Sequence, residues 1–111
     1  MVTKSDLPAF QEYFIPAVTV MKAKGGSTTI EEMEDGVAEA MDLSDEILAV
    51  PHEDGPRTQF QYELAWVRTY LKKAGAAENS ERGVWSLTDK GEALSKTEIQ
   101  NIPVLVRTAE A

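Results

Sequence analysis

A succession of helix, short strand, helix, short helix, long helix, β-hairpin and helix predicts a mainly α domain with a small β-hairpin, arranged as a winged helix-turn-helix. Three observations carry this. Apolar residues recur at helical spacing in three segments, most clearly over residues 59–74. A turn-forming run, Asn79 to Gly83, separates short strand-forming stretches. The chain is 111 residues long, one domain's worth, and long enough to bury a core without metal or disulfide support.

The first helix is expected from Asp6, with Pro8 in the first turn, where a missing N–H costs nothing. Phe10, Phe14, Val18 and Met21 hold its apolar stripe, Pro16 predicts a kink or break, and Gly25-Gly26 ends it. Ser27 to Thr29 reads as a short extended piece. Thr29-Ile30-Glu31-Glu32 is a capping box, a hydroxyl followed three residues on by a carboxylate. Ile30, Met33, Val37, Ala40 and Met41 then face inward from the second helix, with five carboxylates on its other face. Ser44 caps a short third helix that stops before Pro51, and residues 52–56 are a polar loop. Thr58 caps the long helix, whose stripe of Phe60, Leu64, Val67, Leu71 and Ala74 is widened by Trp66 and Tyr70 and ends at Gly75. The hairpin follows, and Thr88 caps a last short helix through Leu94 despite Gly91. Residues 1–96 are therefore taken as the winged-helix domain. Residues 97–111 are less periodic, a tail or the start of a linker in which Ile99, Ile102, Val104, Leu105 and Val106 either pack back, pair with another chain or lead onward.

The chain contains no Cys, which excludes disulfides, thiolate zinc and cysteine catalysis. No apolar run approaches the ~20 residues of a membrane span, and the first residues lack a secretory pattern, so no membrane partner and a cytoplasmic location are expected. His52 stands alone and reads as a loop residue, no nucleophile motif or phosphate-cradling Gly loop occurs, and no metal or other cofactor is expected. The net charge of −8 argues against non-specific nucleic-acid binding by the chain as a whole. Its distribution alters that picture. Residues 1–55 carry three Lys/Arg against twelve Asp/Glu, a balance of −9, whereas residues 56–96 stand at +2. The second half either faces an anion or is an ordinary mixed surface.

Three blocks carry a resemblance: Arg57-Thr58-Gln59-Phe60, the A-W-x-R-T-Y-L-K-K-A-G run from Ala65 to Gly75, and R-G-x-W-x-L-T-x-x-G from Arg82 to Gly91. Together with Leu7-Pro8, Pro16 and Leu43-Ser44-Asp45-Glu46, they resemble the N-terminal domain of Mrr-type restriction endonucleases over residues 6–107. The resemblance implies a winged-helix DNA-binding module that precedes a separate PD-(D/E)xK nuclease domain. Such nucleases place a Lys two residues after Asp, Glu or Gln, and that pattern occurs nowhere in this sequence, so no catalytic residue is expected in this chain.

The implied partner is double-stranded DNA, probed by the long helix and the hairpin. Arg57, Thr58, Gln59, Gln61 and Tyr62 stand near the helix start, where recognition helices meet base edges. Gln59 and Gln61 are suited to adenine and Arg57 to guanine, while Thr58 could simply cap the helix and Tyr62 could belong to the core. Arg68 either reaches phosphate or pairs with the acidic second helix; Lys72 and Lys73 suit the helix dipole. Ser80, Arg82 and Lys90 are candidates for phosphate at the hairpin. Trp66, Trp85, Phe10, Phe14 and Phe60 are read as core, with Trp85 filling the space between hairpin and helices. The rival reading is an acidic protein–protein or dimerisation module within a larger nuclease, the chain being either a homo-oligomer or a partner of the nuclease domain.

Overall fold

The computed structural model describes residues 2–53 and 55–110; of the segments read above, Met1 at the amino end, Asp54 in the polar loop and Ala111 in the tail lie outside the described residues. Turns of 3-10 helix at Lys4–Asp6 and Phe10–Tyr13 lead into α1 (Phe14–Ala23). The α-helix thus begins later than Asp6 and runs through Pro16 without a break. Pro16 falls third in the helix, where a backbone N–H has no intrahelical acceptor, so its ring removes no hydrogen bond.

β1 (Ser27–Thr29) passes directly into α2 (Ile30–Ala40). The capping box forms as expected: Thr29 Oγ1 accepts from the Glu32 N–H at 3.0 Å, and Glu32 Oε1 accepts from the Thr29 N–H at 2.9 Å. α3 (Asp45–Leu48) is capped by Ser44, and α4 (Gln59–Lys73) by Thr58. β2 (Ala77–Glu81) and β3 (Val84–Leu87) make the hairpin, and α5 (Asp89–Ala93) follows its Thr88 cap. The sheet has a third strand: β1 pairs antiparallel with β3, giving the order β1-β3-β2. A helical core with this small antiparallel sheet is compatible with a winged helix. Glu81 stands opposite Val84, so Arg82-Gly83 is the whole turn, and Gly83 takes the left-handed φ of 77° that such a turn demands.

The core lies between α1, α2 and α4. Tyr13, Phe14, Met21, Met33, Leu64 and Leu71 are fully buried, each worth about 1.5–3 kcal/mol of apolar transfer. Trp85 is half-buried against this core, in the space it was expected to fill. Gly91 has a specific task. A Cβ at that position would lie 1.9 Å from the Ala76 carbonyl oxygen, so the start of α5 can cross the chain between α4 and β2 only without a side chain. Thr88 secures the crossing, donating from its N–H to Ala76 O at 3.0 Å and from Oγ1 to Gly75 O at 2.6 Å.

The stretch read as a less periodic tail is helical. α6 (Lys96–Gln100) packs on α1, and α7 (Ile102–Glu110) packs on α4. Ile99, Ile102 and Val106 fold back into the core, while Val104 and Leu105 stay exposed. A Lys73–Glu110 ion pair holds the end of α7 to the end of α4. Among the described residues no helix is long and apolar enough to cross a membrane.

Candidate nucleic-acid interface

α4 is placed by its start. The Gln59 N–H donates to Val50 O at 2.8 Å and the His52 N–H to Arg57 O at 3.0 Å, which closes the polar loop against the helix. The apolar stripe of Phe60, Leu64, Val67 and Leu71 faces the core. The opposite stripe, at 3.6-residue spacing, carries Tyr62, Ala65, Trp66 and Thr69. Together with Arg57, these four residues line a shallow recess of about 280 Å³.

Sequence and structure differ over which side chains reach outward. Gln61 Oε1 turns back to accept from the Thr58 N–H at 3.0 Å, while Thr58 Oγ1 accepts from the Gln61 N–H at 3.2 Å. This is the same T-x-x-E/Q capping box that marks Thr29–Glu32, so the spacing already held the information that Thr58 and Gln61 serve the helix end. Gln59 is also engaged. Its Nε2 donates to Glu63 Oε2 at 3.2 Å, and its Oε1 lies 2.9 Å from His52 Nδ1, which requires the proton on Nδ1. Arg68 is 7% exposed, and the charge of Glu34 in α2 acts on it. The pairing with the acidic second helix considered for it does not form: no carboxylate among the described residues lies within ion-pair distance, and its Nη1 is buried without a hydrogen-bond partner. Burial pushes the Arg68 guanidinium pKa down, and the Glu34 charge opposes that shift. Burial also raises the Glu34 carboxyl, while the Gln61 side chain and Arg68 favour its ionised form.

Trp66, read as core, is instead 44% exposed. Helical spacing shows which residues share a face but not how far the neighbouring elements cover it. Tyr62 is half-buried and stacked on His52, with ring centroids 3.8 Å apart and planes 15° from parallel; the Arg57 guanidinium lies 5.6 Å from the Tyr62 ring centroid. Arg57, Gln59, Tyr62 and His52 therefore form one cluster, to which Trp66 and Thr69 add the next turn. Nothing in the sequence pattern marked His52, which reaches the helix only because the loop closes.

On the hairpin, Ser80 Oγ and Ser86 Oγ lie 2.9 Å apart, and Arg82 is exposed at the tip between Glu81 and Gly83. No hydrogen bond among the described residues joins Ser80 or Arg82 to α4. Glu78 and Glu81 are exposed on the same hairpin, so its charge is mixed. No group of three or more His, Asp or Glu side chains among the described residues is placed to hold a metal ion.

Residues 10–97 match the Mrr N-terminal domain family. Searches of curated proteins and of solved structures each returned no match. The family is an N-terminal domain, distinct from a nuclease domain, and it fits a protein of an Mrr-type restriction system. The match covers most of the chain and contains the hairpin and all of α4, and on that basis the chain belongs to the Mrr N-terminal domain family.

Proposed function

We propose that this chain is the DNA-recognition module of an Mrr-type restriction system, laying α4 in the major groove of double-stranded DNA with Arg82 against a neighbouring phosphate. One observation carries the reading: in a chain of net charge −8, the outward stripe Tyr62-Ala65-Trp66-Thr69 holds no carboxylate and is flanked by Arg57 at its start and Lys72 at its end. Arg57 is the residue suited to a base edge. The Trp66 ring and the methyl groups of Ala65 and Thr69 suit a methyl group on a pyrimidine, as carried by thymine or a modified cytosine. Gln59, Gln61 and Thr58 shape the helix start, and Arg68 braces α4 from behind. Nuclease chemistry then comes from another domain or chain, acting in the cytoplasm, and a dimer would add avidity.

Fluorescence anisotropy with plain and methylated duplexes tests this. Binding should fall steeply between about 50 and 200 mM salt and weaken about tenfold in Arg57→Ala, Trp66→Ala or Arg82→Ala. Absence of binding at about 100 μM protein in low salt would sink the reading. The protein-contact alternative has its own support in the exposed Val104 and Leu105 of α7 and in the acidic residues around Arg82. It predicts self-association or nuclease-domain capture with no salt-sensitive DNA binding.

A further inference from the structure

Beside the outward stripe, where α4 meets the Phe10 turn and α7, lies a second recess of about 330 Å³. Its walls are aromatic and set at right angles. Phe10 and Tyr70 have centroids 5.1 Å apart with planes at 85°, and Trp66 and Tyr70 have centroids 6.3 Å apart with planes at 88°. In each pair the edge of one ring meets the face of the other, and all three rings also line the recess, where a free π-face attracts an organic cation.

A carboxylate stands in the same recess. Glu63 is half-buried and receives a hydrogen bond from Gln59, and no cationic side chain among the described residues lies within ion-pair distance of it. Burial raises its pKa, the mark of a carboxylate short of compensation. Its field and that of Glu12 both reach the buried Tyr13 hydroxyl, so the surroundings are acidic beyond Glu63 alone. The rings already attract a cation: the Arg107 guanidinium of α7 lies 5.9 Å from the Phe10 centroid and 6.0 Å from that of Tyr70. Arg107 lines the recess itself, and at about 6 Å its attraction to the rings is weak, so an incoming cation would have to displace it.

We propose that this recess binds a basic side chain, a lysine ammonium or an arginine guanidinium, from a segment of a partner protein, which displaces Arg107, the internal competitor, from the rings. An anion is disfavoured by Glu63 and by the ring faces. A segment with several positive charges is favoured over a lone small cation by the net charge of −8. The inference does not rest on DNA binding, but the recess shares Trp66 with the outward stripe, so a basic segment and a duplex would meet at that ring.

The test uses the full chain, followed by amide and indole NMR and by Trp66 fluorescence. The probes are acetyl-arginine amide, its uncharged isostere acetyl-citrulline amide, and a Lys-Arg tetrapeptide. The arginine probe and the tetrapeptide should shift the signals of Phe10, Trp66 and Tyr70, with the citrulline probe about tenfold weaker. Glu63→Gln should weaken the arginine probe about threefold, and Arg107→Ala, an exposed residue, should tighten it about threefold. Equal response to citrulline, no response at all, or weaker binding in Arg107→Ala would overturn the proposal. So would a result in which only a DNA duplex shifts these signals and Glu63→Gln strengthens its binding. That outcome would leave the DNA reading standing while removing this one.

Discussion

The two edges of α4 treat their side chains in opposite ways. On the edge facing α2, Gln61 and Arg68 are drawn inward, one into the capping box and the other into burial within the field of Glu34. On the edge facing α7, a tryptophan stands 44% exposed and a half-buried carboxylate has no ion-pair partner among the described residues. Burial along this helix follows what the neighbour offers rather than the hydrophobicity of the residue. α2 presents carboxylates and takes in an arginine, whereas α7 is held at the helix end by Lys73–Glu110 and leaves the middle of the edge open.

The comparison breaks most readily at Arg68. Arg68→Ala empties the buried space that its side chain fills and removes a charge that favours ionised Glu34, so urea unfolding should show a loss of about 2 kcal/mol. The joint change Glu34→Gln with Arg68→Leu should recover most of that loss, since the desolvation of both groups goes with them. An Arg68→Ala chain as stable as the parent would mean that the α2 edge is not sealed. Trp66→Ala sharpens the other side: stability should stay within about 0.5 kcal/mol while duplex affinity drops about tenfold, and a large loss of stability would place Trp66 in the core after all. Thr58→Ala lies between the two, costing about 1 kcal/mol in thermal or urea unfolding through loss of the cap.

Glu63→Gln has the smallest expected effect, and its pH dependence identifies it. The folded chain raises the Glu63 pKa above the ordinary carboxylate value, so the folded state binds the proton more tightly than the unfolded one. The stability this contributes is present below the ordinary pKa and is lost as pH rises through the folded value. At pH 7 the ionised carboxylate therefore opposes folding. Glu63→Gln should raise the melting temperature slightly at pH 7, with the gain shrinking as pH falls toward 4.5. A gain that grew on acidification would show that the carboxylate is compensated in the native chain.

Much of this was legible in the residues. The capping hydroxyls of Thr29, Ser44, Thr58 and Thr88 each mark a helix start, because a cap is a local hydrogen bond written in adjacent sequence. The hairpin was legible for the same reason, although the turn read over Asn79 to Gly83 shrinks to Arg82-Gly83 because Asn79, Ser80 and Glu81 belong to β2. The C-terminal helices were not: Ser95 caps the first, but both are short, and Pro103 hides the 3.6-residue pattern of Ile99, Ile102 and Val106 that docks them. The candidate interface was legible as a helix and not as a surface. Whether Trp66 or Gln61 reaches outward depends on α2 and α7, which lie far from them along the chain. Arg107 joins the aromatic recess only through that packing.

The sheet order has a consequence for how the chain assembles. β3 is the central strand, and Ser27 and its partner Ser86 are about 60 residues apart. On a growing polypeptide neither β1 nor β2 has a neighbour until residues 84–87 emerge, so the last strand made joins two unpaired strands into one sheet in one event. Loss of that single segment would leave both outer strands exposed at once, and the tryptophan it carries would no longer fill the space between them and the helices.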